Sequence, residues 1–254
     1  MLKNRVIPCL LLQAGRLVKT TKFDTPRYVG DPINAIRIFN RKEVDELIVL
    51  DITASREGRE PNYGLIEELA GECFMPLCYG GGVKTPEQAQ RLFKLGVEKL
   101  SIQPINASEV ETIAKISDQF GAQAVVASVD VRRNWRGVPK LFSSATRKTL
   151  DIPWLSHLER LVKAGAGEIL LNAVHKDGTM SGLDLELVSS ASKAVDVPLT
   201  VIGGVGSMAD IKSGVEAGAS AVAAGAFFVF HGKHKAVLIT YPSYGELEKL
   251  LERN

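Results

Sequence analysis

Eight short apolar segments recur along the chain and predict buried strands. They occupy residues 6–12, 47–52, 76–79, 99–102, 124–129, 168–172, 198–202 and 219–225. Near-continuous apolar character is typical of parallel strands that are covered on both faces. Amphipathic segments of helical length separate them, at 34–42, 86–95, 110–120, 153–163, 185–193 and 210–217. The pattern therefore predicts strands and helices in alternation.

Eight strands, each followed by a helical stretch, in a chain of this length predict an α/β fold, the (β/α)8 TIM barrel. Residues that favour helix boundaries support the pattern: Thr85-Pro86 precedes one helical segment, and Gly96 and Gly121 each follow one. We expect a single barrel domain over residues 1–254. An open doubly wound sheet is the alternative.

The two halves of the chain resemble each other, which favours the barrel. Leu50-Asp51-Ile52 resembles Leu171-Asn172-Ala173, and Gly80-Gly81-Gly82-Val83 resembles Gly203-Gly204-Val205-Gly206. Both matches lie about half the chain apart, and no linker rich in Pro, Gly or Ser divides the halves. Because a half-barrel repeated twice closes by symmetry, we predict a barrel built from two half-barrel repeats.

Composition and charge narrow the class of protein. The 254 residues are 45% hydrophobic and 24% charged with a net charge of +2, which argues against disorder and against a nucleic-acid partner. No apolar run approaches the ~20 residues of a membrane span, and no signal peptide is expected. Cys9, Cys73 and Cys78 fit no zinc or disulfide pattern, and His231 and His234 lack a third ligand nearby. We expect a cytoplasmic protein without metal, cofactor or membrane partner.

Polar residues follow the predicted strands, and active sites of this barrel lie at the carboxyl ends of its strands. The candidates are Lys19, Asp51, Ser55, Ser101, Gln103, Asp130, Asn172 and Asp177, with the glycines at 80–82, 203–204 and 225. An acid at the end of a buried strand costs desolvation energy unless it is paired or used, so we favour a functional role for Asp130. Asp177 precedes Gly178, and a plain Asp-Gly turn is the alternative there. Lys19 and Asp51 are expected in similar loop positions.

Glycine-rich turns predict binding of a phosphate-bearing small molecule. The turns at 80–82 and 203–204 connect a strand to a helix, where backbone amides attract anions. Gly225 and Ala226 follow the eighth strand, at the position where this barrel commonly binds phosphate. The alternative is that these glycines only form tight turns that need positive φ.

Several stretches together match one enzyme family over nearly the whole chain. They are Arg5-Val6-Ile7-Pro8-Cys9-Leu10, Gly15-Arg16-Leu17-Val18-Lys19, Gly30-Asp31-Pro32, Asp45-Glu46-Leu47, Leu50-Asp51-Ile52-Thr53-Ala54-Ser55, Gly80-Gly81-Gly82, Gly165-Ala166-Gly167-Glu168-Ile169-Leu170-Leu171, Asp177-Gly178-Thr179 and Ser181-Gly182. They resemble the cyclase subunit of imidazole glycerol phosphate synthase, a lyase of histidine biosynthesis. The resemblance implies a barrel that takes ammonia from a glutaminase subunit and uses it on a sugar-like bisphosphate.

The resemblance also implies a catalytic pair of aspartates, of which this chain has one. Asp130 matches the fifth-strand aspartate, whereas Leu11 occupies the first-strand position and cannot transfer a proton. Gln103 and Pro104 replace an Asn-Thr pair of one phosphate site, and proline has no N–H to donate. The second phosphate cluster implied by the family is complete: Asp177, Gly178, Gly204, Gly225 and Ala226.

A ring of four charges gates the ammonia route in this family. The matching residues here are Arg5, Glu46, Lys99 and Glu168. Side chains alternate along a strand with period two, so Arg5 shares a face with Leu11, and Glu168 with Asn172. We therefore expect the four charges to point into the barrel and pair. The alternative is that charges at strand starts simply face solvent.

The sequence leaves several functions open. Close paralogues in gene sets for bacterial surface polysaccharides imply a channelling subunit that forms a heterodimer with a glutaminase and supplies an ATP-dependent amidotransferase. That enzyme amidinates an acetamido sugar of lipopolysaccharide O-antigen. The second reading is an authentic histidine-pathway cyclase that tolerates Leu11, with the Cys9 thiol as a conceivable substitute. A scaffold without ammonia traffic is the third. A phosphate-sugar isomerase that pairs Asp130 with Asp51 or Asp177 is the fourth.

Overall fold

A computed structural model describes residues 4–251. Residues 1–3 and 252–254 of the predicted 1–254 domain lie outside the described residues. The strands are β1 (Arg5–Gln13), β2 (Arg16–Thr21), β3 (Asp24–Gly30), β4 (Leu47–Asp51), β5 (Leu77–Gly80), β6 (Lys99–Ile102), β7 (Val125–Arg133), β8 (Pro139–Ser143), β9 (Lys148–Leu150), β10 (Glu168–Ala173), β11 (Leu199–Ile202), β12 (Ala221–Ala224), β13 (Phe230–His231) and β14 (Ala236–Val237).

Most of the helices begin at a side-chain cap. The helices are α1 (Pro32–Arg41), α2 (Tyr63–Glu72), α3 (Pro86–Lys94), α4 (Ala107–Phe120), α5 (Trp154–Lys163), α6 (Leu185–Ala194), α7 (Met208–Glu216), α8 (Ala226–Val229) and α9 (Tyr244–Leu251). No side chain of residues 4–251 caps α5 or α8. The side chains of Thr85, Asn106 and Ser207 each accept the third helical amide in a capping box, which satisfies a donor that the helix itself cannot.

Eight of the strands close into a barrel, which confirms the predicted fold. β1, β4, β5, β6, β7, β10, β11 and β12 pair in that order, and β12 returns to β1 with Arg5 opposite Ala221. Every pair around this ring is parallel. The carboxyl ends of all eight strands therefore lie at one end of the barrel, called here the upper end, and their amino ends lie at the lower end.

Two β-hairpins interrupt the predicted strand–helix alternation. β2 and β3 stand between β1 and α1, and β8 and β9 stand between β7 and α5. The turn between β2 and β3 places Lys22 and Phe23 at φ of 55° and 62°, the left-handed conformation that tight hairpin turns require. The expectation that each strand leads directly to a helix was therefore wrong after β1 and β7, where turns with Gly15 and Gly137 at positive φ return the chain as an antiparallel strand.

Alternation along the strands separates two apolar layers. One layer lies between the strands and the surrounding helices and includes Val6, Leu10 and Phe39. The other fills the inside of the barrel with Ile7, Cys9, Ile48, Cys78, Val126, Leu170, Ile202, Ala221 and Ala223. Leu11 and Leu50 pack against the top of this inner layer. The polar groups at the two ends of the barrel are therefore separated by this apolar layer.

The two half-barrels repeat the same turn. Gly81 has a φ of 118° and lies against the backbone of Asp51, while Gly203 has a φ of 105° and lies against the backbone of Ala173. A side chain at either position would collide with the neighbouring strand end. The two half-barrels therefore correspond, with Gly81 equivalent to Gly203. The sequence match pairs Gly80 with Gly203, which is one residue too early.

No helix between residues 4 and 251 has both the length and the apolar character needed to cross a membrane.

Candidate functional site

A cavity of about 540 Å3 opens at the upper end of the barrel. Its floor is the top of the inner apolar layer, with Cys9, Leu11 and Leu50. The two hairpins form part of its wall through Phe23 and Ser144, and they lie against each other, with the Phe23 and Phe142 rings 6.0 Å apart. Most predicted site residues line it together: Lys19, Asp51, Gly82, Ser101, Gln103, Asp130, Asn172, Asp177 and Gly225.

Asp130 is a buried carboxyl group with a strongly perturbed acidity. It lies near the end of β7, and only 4% of its surface is exposed. Its Oδ2 accepts a hydrogen bond of 2.6 Å from Nε2 of Gln103. Burial raises the pKa of Asp130 to about 7 even though this hydrogen bond lowers it. The carboxyl therefore exchanges its proton near neutral pH, which suits a general acid or base.

Gln103 is locked in place by partners on both of its amide atoms. Its Nε2 also donates to the Phe142 carbonyl at 3.2 Å, and its Oε1 accepts from the Ser144 backbone N–H at 3.0 Å and its hydroxyl at 2.7 Å. The side chain therefore joins β6 to the β8–β9 hairpin and fixes the Asp130 carboxyl. A side chain with these partners has no amide hydrogen bond left to give an anion at this end of the cavity.

Leu11 brings no second proton-transferring group to the cavity. It faces the cavity at the top of the inner layer, together with Leu50 and above Cys9. Burial raises the pKa of the Cys9 thiol to about 12, so it is a poor proton donor or acceptor at neutral pH. The suggestion that Cys9 replaces the missing carboxyl therefore loses its chemical basis.

Lys19 and Asp177 form a buried ion pair that ties the first hairpin to the barrel. Nζ of Lys19 lies 2.6 Å from Oδ1 of Asp177, and the Thr20 hydroxyl donates to Oδ2 at 3.0 Å. The expectation that Lys19 lies in a loop was wrong, because β2 pairs with β1 and carries Lys19 inside the protein. Asp177 likewise does more than form a turn, since it neutralises this lysine.

A smaller recess adjoins the cavity beside this ion pair. Its walls include the remaining predicted phosphate ligands, Gly178, Gly204 and Ala226, together with Gly225. Gly204 has a φ of 111°, and a side chain there would collide with the Gly182 carbonyl. The recess therefore needs backbone without side chains, at the loops after β11 and β12 where this barrel class commonly binds phosphate.

Asp51 is the last residue of β4, so the expectation of a loop position was wrong, and the backbone of the following turn holds its side chain. Its Oδ1 accepts from the Thr53 and Ala54 backbone N–H groups at 3.0 Å each. Arg59 lies 3.6 Å from Oδ2 and also donates to the Thr53 hydroxyl at 2.8 Å. With its oxygens so occupied, Asp51 is a positioning group for the turn and a poor partner for Asp130 in acid–base chemistry.

Asn172 lies on β10 beside Asp130 on β7, and both side chains belong to the cavity wall. Its Oδ1 is buried and has no hydrogen-bond partner among the described residues. Because burying an unpaired carbonyl costs free energy, this atom is a candidate acceptor for a ligand that carries N–H or O–H groups.

At the lower end, four predicted residues meet in one ionic ring: Arg5, Glu46, Lys99 and Glu168. Lys99 Nζ lies 3.0 Å from both Glu46 Oε2 and Glu168 Oε2, and Arg5 Nη2 lies 2.9 Å from Glu168 Oε1. Arg5 also contacts Glu46. Each cation therefore bridges both carboxylates, and the alternative in which these charges face solvent separately is wrong.

The electrostatics of the ionic ring favour the charged forms of Lys99 and Glu168. Burial lowers the pKa of Lys99, but the Glu168 and Glu46 carboxylates outweigh burial and hold it above its ordinary value. Burial raises the pKa of Glu168, but Arg5 and Lys99 outweigh it and hold that pKa below its ordinary value. The ring therefore closes the lower end of the barrel with paired charges beneath an apolar interior.

Three contributing residues were missed by the sequence analysis. Thr200 on β11 is buried, and its hydroxyl donates a hydrogen bond to Glu168 of the ionic ring. Ser144 and Arg59 hold Gln103 and Asp51. A lone threonine in a strand and an arginine in a polar loop are ordinary, so only the barrel geometry identifies them.

Within residues 4–251, no group of three or more His, Cys, Asp or Glu side chains could hold a metal ion.

The sequence profile of the family described as "Histidine biosynthesis protein" matches residues 5–235. The chain is 53% identical over 249 residues to a Pseudomonas aeruginosa protein provisionally named imidazole glycerol phosphate synthase subunit hisF2, a match covering 98% of this chain and 99% of that protein. It is 48% identical over 257 residues to the Vibrio vulnificus protein provisionally named subunit hisF3 (99% and 98% covered). It is 41% identical over 231 residues to imidazole glycerol phosphate synthase subunit HisF of Thermobifida fusca (89% and 90% covered).

Proposed function

The chain belongs to the HisF-like family of imidazole glycerol phosphate synthase cyclase subunits, and on this premise we propose that it channels ammonia in a glutamine amidotransferase complex. A glutaminase subunit forms a heterodimer with it at the lower end of the barrel, and nitrogen leaves through the upper cavity. The acceptor is an acetamido sugar. An ATP-dependent amidotransferase converts it to an acetamidino sugar for lipopolysaccharide O-antigen.

The observation that carries the proposal is a complete ionic ring in a barrel whose proton-transfer machinery is incomplete. Both cations of the ring bridge both carboxylates. At the other end, Asp130 is capped by Gln103, and Leu11 stands where a second acid would act. Losing a general acid or base costs about 10²- to 10⁴-fold in rate. Nitrogen transport through the barrel uses the ring and does not need the second acid.

The lower end also supports a protein partner. Phe74 lies in the loop between α2 and β5, at the amino ends of the strands, and 86% of its surface is exposed. Exposed aromatic side chains are frequent anchors of protein interfaces. A glutaminase docked over Phe74 would discharge ammonia beside the ionic ring.

The experiment is a turnover assay with ammonium salt and the ribotide substrate of imidazole glycerol phosphate synthase. We expect no measurable turnover by the unsubstituted chain, and turnover by the Leu11→Asp variant, because that variant restores a carboxyl opposite Asp130. Leu11→Asn is the matched control, since it adds polarity without a titrating proton, and it should stay inactive. Turnover by the unsubstituted chain at a rate near that of Leu11→Asp would overturn the proposal.

A second function is favoured by one observation. The Asp130 carboxyl has a pKa of about 7 in a cavity that also contains Lys19, Asp177 and the glycine recess. A carboxyl tuned to neutral pH is what an authentic cyclase of histidine biosynthesis would use. That function makes the opposite prediction in the same assay, namely turnover without substitution at Leu11. The isomerase reading has less support, because Asp51 and Asp177 are already bound by Arg59 and Lys19.

A further inference from the structure

An exposed tryptophan stands on the upper rim of the barrel, outside the cavity. β7 continues beyond Asp130 to Arg133, and the turn that follows presents Trp135 with 85% of its surface exposed. Val138 in the same turn and Leu185 at the start of α6 are also exposed. Nothing in the proposed channelling of ammonia explains a large apolar group at this place.

The turn is rigid, so Trp135 is presented in a fixed position. The Asn134 side chain accepts from the Arg136 N–H at 2.9 Å and the Val138 N–H at 3.0 Å. Arg133 donates to the Gly137 carbonyl at 2.7 Å and pairs with Asp184 at 2.6 Å, which ties the turn to the start of α6. A rigid aromatic group loses little conformational entropy on binding, which is characteristic of interface anchors.

Two arginines near the turn stay unpaired in the described part of the chain, although Asp184 and Glu186 lie beside it and pair with Arg133. Residues 131–150 contain six Lys and Arg and no Asp or Glu, although the whole chain carries 29 acidic residues. The Arg136 guanidinium stacks over the Trp135 ring at 4.4 Å. Within residues 4–251, Arg136 and Arg132 form no ion pair with a carboxylate. The surface that fits this rim is therefore apolar at its centre and acidic at its edge.

We propose that the Trp135 knob, defined as Trp135, Arg136, Val138 and Leu185, docks the protein that accepts the ammonia. The proposal rests on the proposed function, and the partner is the ATP-dependent sugar amidotransferase. The knob is exposed at the upper end of the barrel and is not among the residues that line the cavity, whereas small ligands bind in concave sites, so a protein is the occupant. Tryptophan and arginine dominate binding energy at such interfaces. Docking there would place the acceptor's active site over the exit of the barrel, at the end opposite Phe74.

The test measures binding of the purified amidotransferase of the source organism to the chain in complex with its glutaminase. Trp135→Ala should weaken this binding by about tenfold or more, the effect of losing an interface anchor. Arg136→Glu should weaken it further at low salt. Tyr244→Ala is the control, an exposed aromatic side chain of α9 that belongs to neither proposed surface, and it should leave affinity for the amidotransferase unchanged.

A spectroscopic readout locates the contact. The chain has two tryptophans, and Trp154 is buried. In a chain labelled with 5-fluorotryptophan, the 19F resonance of Trp135 should shift or broaden when unlabelled amidotransferase is added, while that of Trp154 should not. Trp135→Phe assigns the two resonances.

Equal affinity of the unsubstituted chain and Trp135→Ala, or no binding at all, would overturn the docking proposal. Glutamine-driven amidination of the sugar separates this from failure of the proposed function. If the unsubstituted complex makes the product from glutamine but Trp135→Ala has no effect on binding or rate, the channelling function stands and the docking site is wrong. If the amidotransferase works with ammonium salt and never with glutamine, the channelling function itself is wrong.

Discussion

At the scale of single residues, the cavity's chemistry depends on one carboxyl group. Asp130 is buried, capped by Gln103 and faced by the apolar side chain of Leu11. Burial disfavours its charged form, and no cation lies close enough to reverse this: Arg132 lowers the pKa of Asp130 less than burial raises it. The Asp130 carboxyl should therefore affect the free energy of unfolding as well as proton transfer in the cavity.

We predict that Asp130→Asn removes a pH dependence of folding. The pKa of Asp130 is about 7 in the folded chain, against about 3.9 when unfolded. Between these values the folded state keeps a proton that the unfolded state releases, so the free energy of unfolding falls as pH rises through this range. Asparagine still accepts from Gln103, and it should raise the free energy of unfolding by a few kcal/mol at about pH 8 and by little at about pH 4.

Urea denaturation at the two pH values measures this difference. Asp118→Asn, on the exposed surface of α4, is the control and should show no such gain at pH 8. A variant at Asp130 that gains as much stability at pH 4 as at pH 8 would mean that titration of this carboxyl is not the cause.

A site residue could be identified from the sequence where its amino-acid type is unusual for the end of a strand. Site residues of a type that is common at their position could not. Asp130 is identifiable because an acid ends an apolar run, and Leu11 because it departs from a family motif. Thr200 and Ser144 give no such signal, since threonine is common in strands and serine in turns. Their roles follow only from which strands the closed barrel brings together.

At the scale of secondary-structure elements, the β2–β3 hairpin is attached to the barrel by a buried ion pair. Lys19 and Asp177 have 6% and 8% of their side chains exposed. Phe23, in the turn of the same hairpin, lines the cavity. The ion pair therefore sets where one wall of the cavity stands.

We predict a large loss of stability when only one member of this pair is removed. Asp177→Ala leaves the Lys19 ammonium buried without a counter-charge, which costs about 3–5 kcal/mol. The double variant Lys19→Met with Asp177→Leu should recover most of that loss, because an apolar pair replaces a desolvated one. Arg37→Ala, which removes an exposed pair with Glu72, should leave the free energy of unfolding nearly unchanged in the same urea titrations. A double variant no more stable than Asp177→Ala would argue against this account.

The ionic ring joins the lower ends of several strands, and it leads to a prediction about nitrogen transfer. Lys99→Ala removes the cation that joins Glu46 to Glu168 at 3.0 Å on each side. The lower end should then no longer couple glutamine hydrolysis to delivery. We expect the glutaminase partner to keep hydrolysing glutamine while the fraction of nitrogen reaching the acceptor falls severalfold and free ammonia rises. Lys163→Ala, at the exposed end of α5, is the control. Unchanged delivery in Lys99→Ala would mean that the ring has no part in the ammonia route.

The barrel strands and six of the surrounding helices were predicted, whereas the bounds of α2 and α8 and the inserted hairpins were not. Apolar runs mark each barrel strand because both faces are covered. The β2–β3 turn uses Lys22 and Phe23 at positive φ, where sequence rules look for Asn-Gly or Gly-Gly. The pairing of Lys19 with Asp177 fixes that turn from a distance, so tertiary contacts replace the missing local signal.

At the scale of the whole molecule, the barrel separates two surfaces by its own length. Parallel closure sends every strand's amino end to the ionic ring and Phe74, and every carboxyl end to the cavity and the Trp135 knob. The layer between these ends is apolar, with Ile7, Ile48, Val126 and Leu170 among its members. A barrel of this kind can bind two proteins that never touch, with only a small neutral molecule passing between them.

This separation predicts additive energetics in the complete complex. Phe74→Ala should weaken the glutaminase and Trp135→Ala the sugar amidotransferase, and the double variant should show the sum of the two binding losses to within about 0.5 kcal/mol, as for distant sites without shared partners. Product formation behaves differently, because nitrogen must pass both interfaces in series. At limiting protein, glutamine-driven yield should fall by about the product of the two single losses, whereas ammonium-driven yield should not depend on Phe74. Titration of each partner against the four proteins measures the first relation. A strong coupling energy would show that the barrel changes conformation between its ends instead of acting as a rigid conduit.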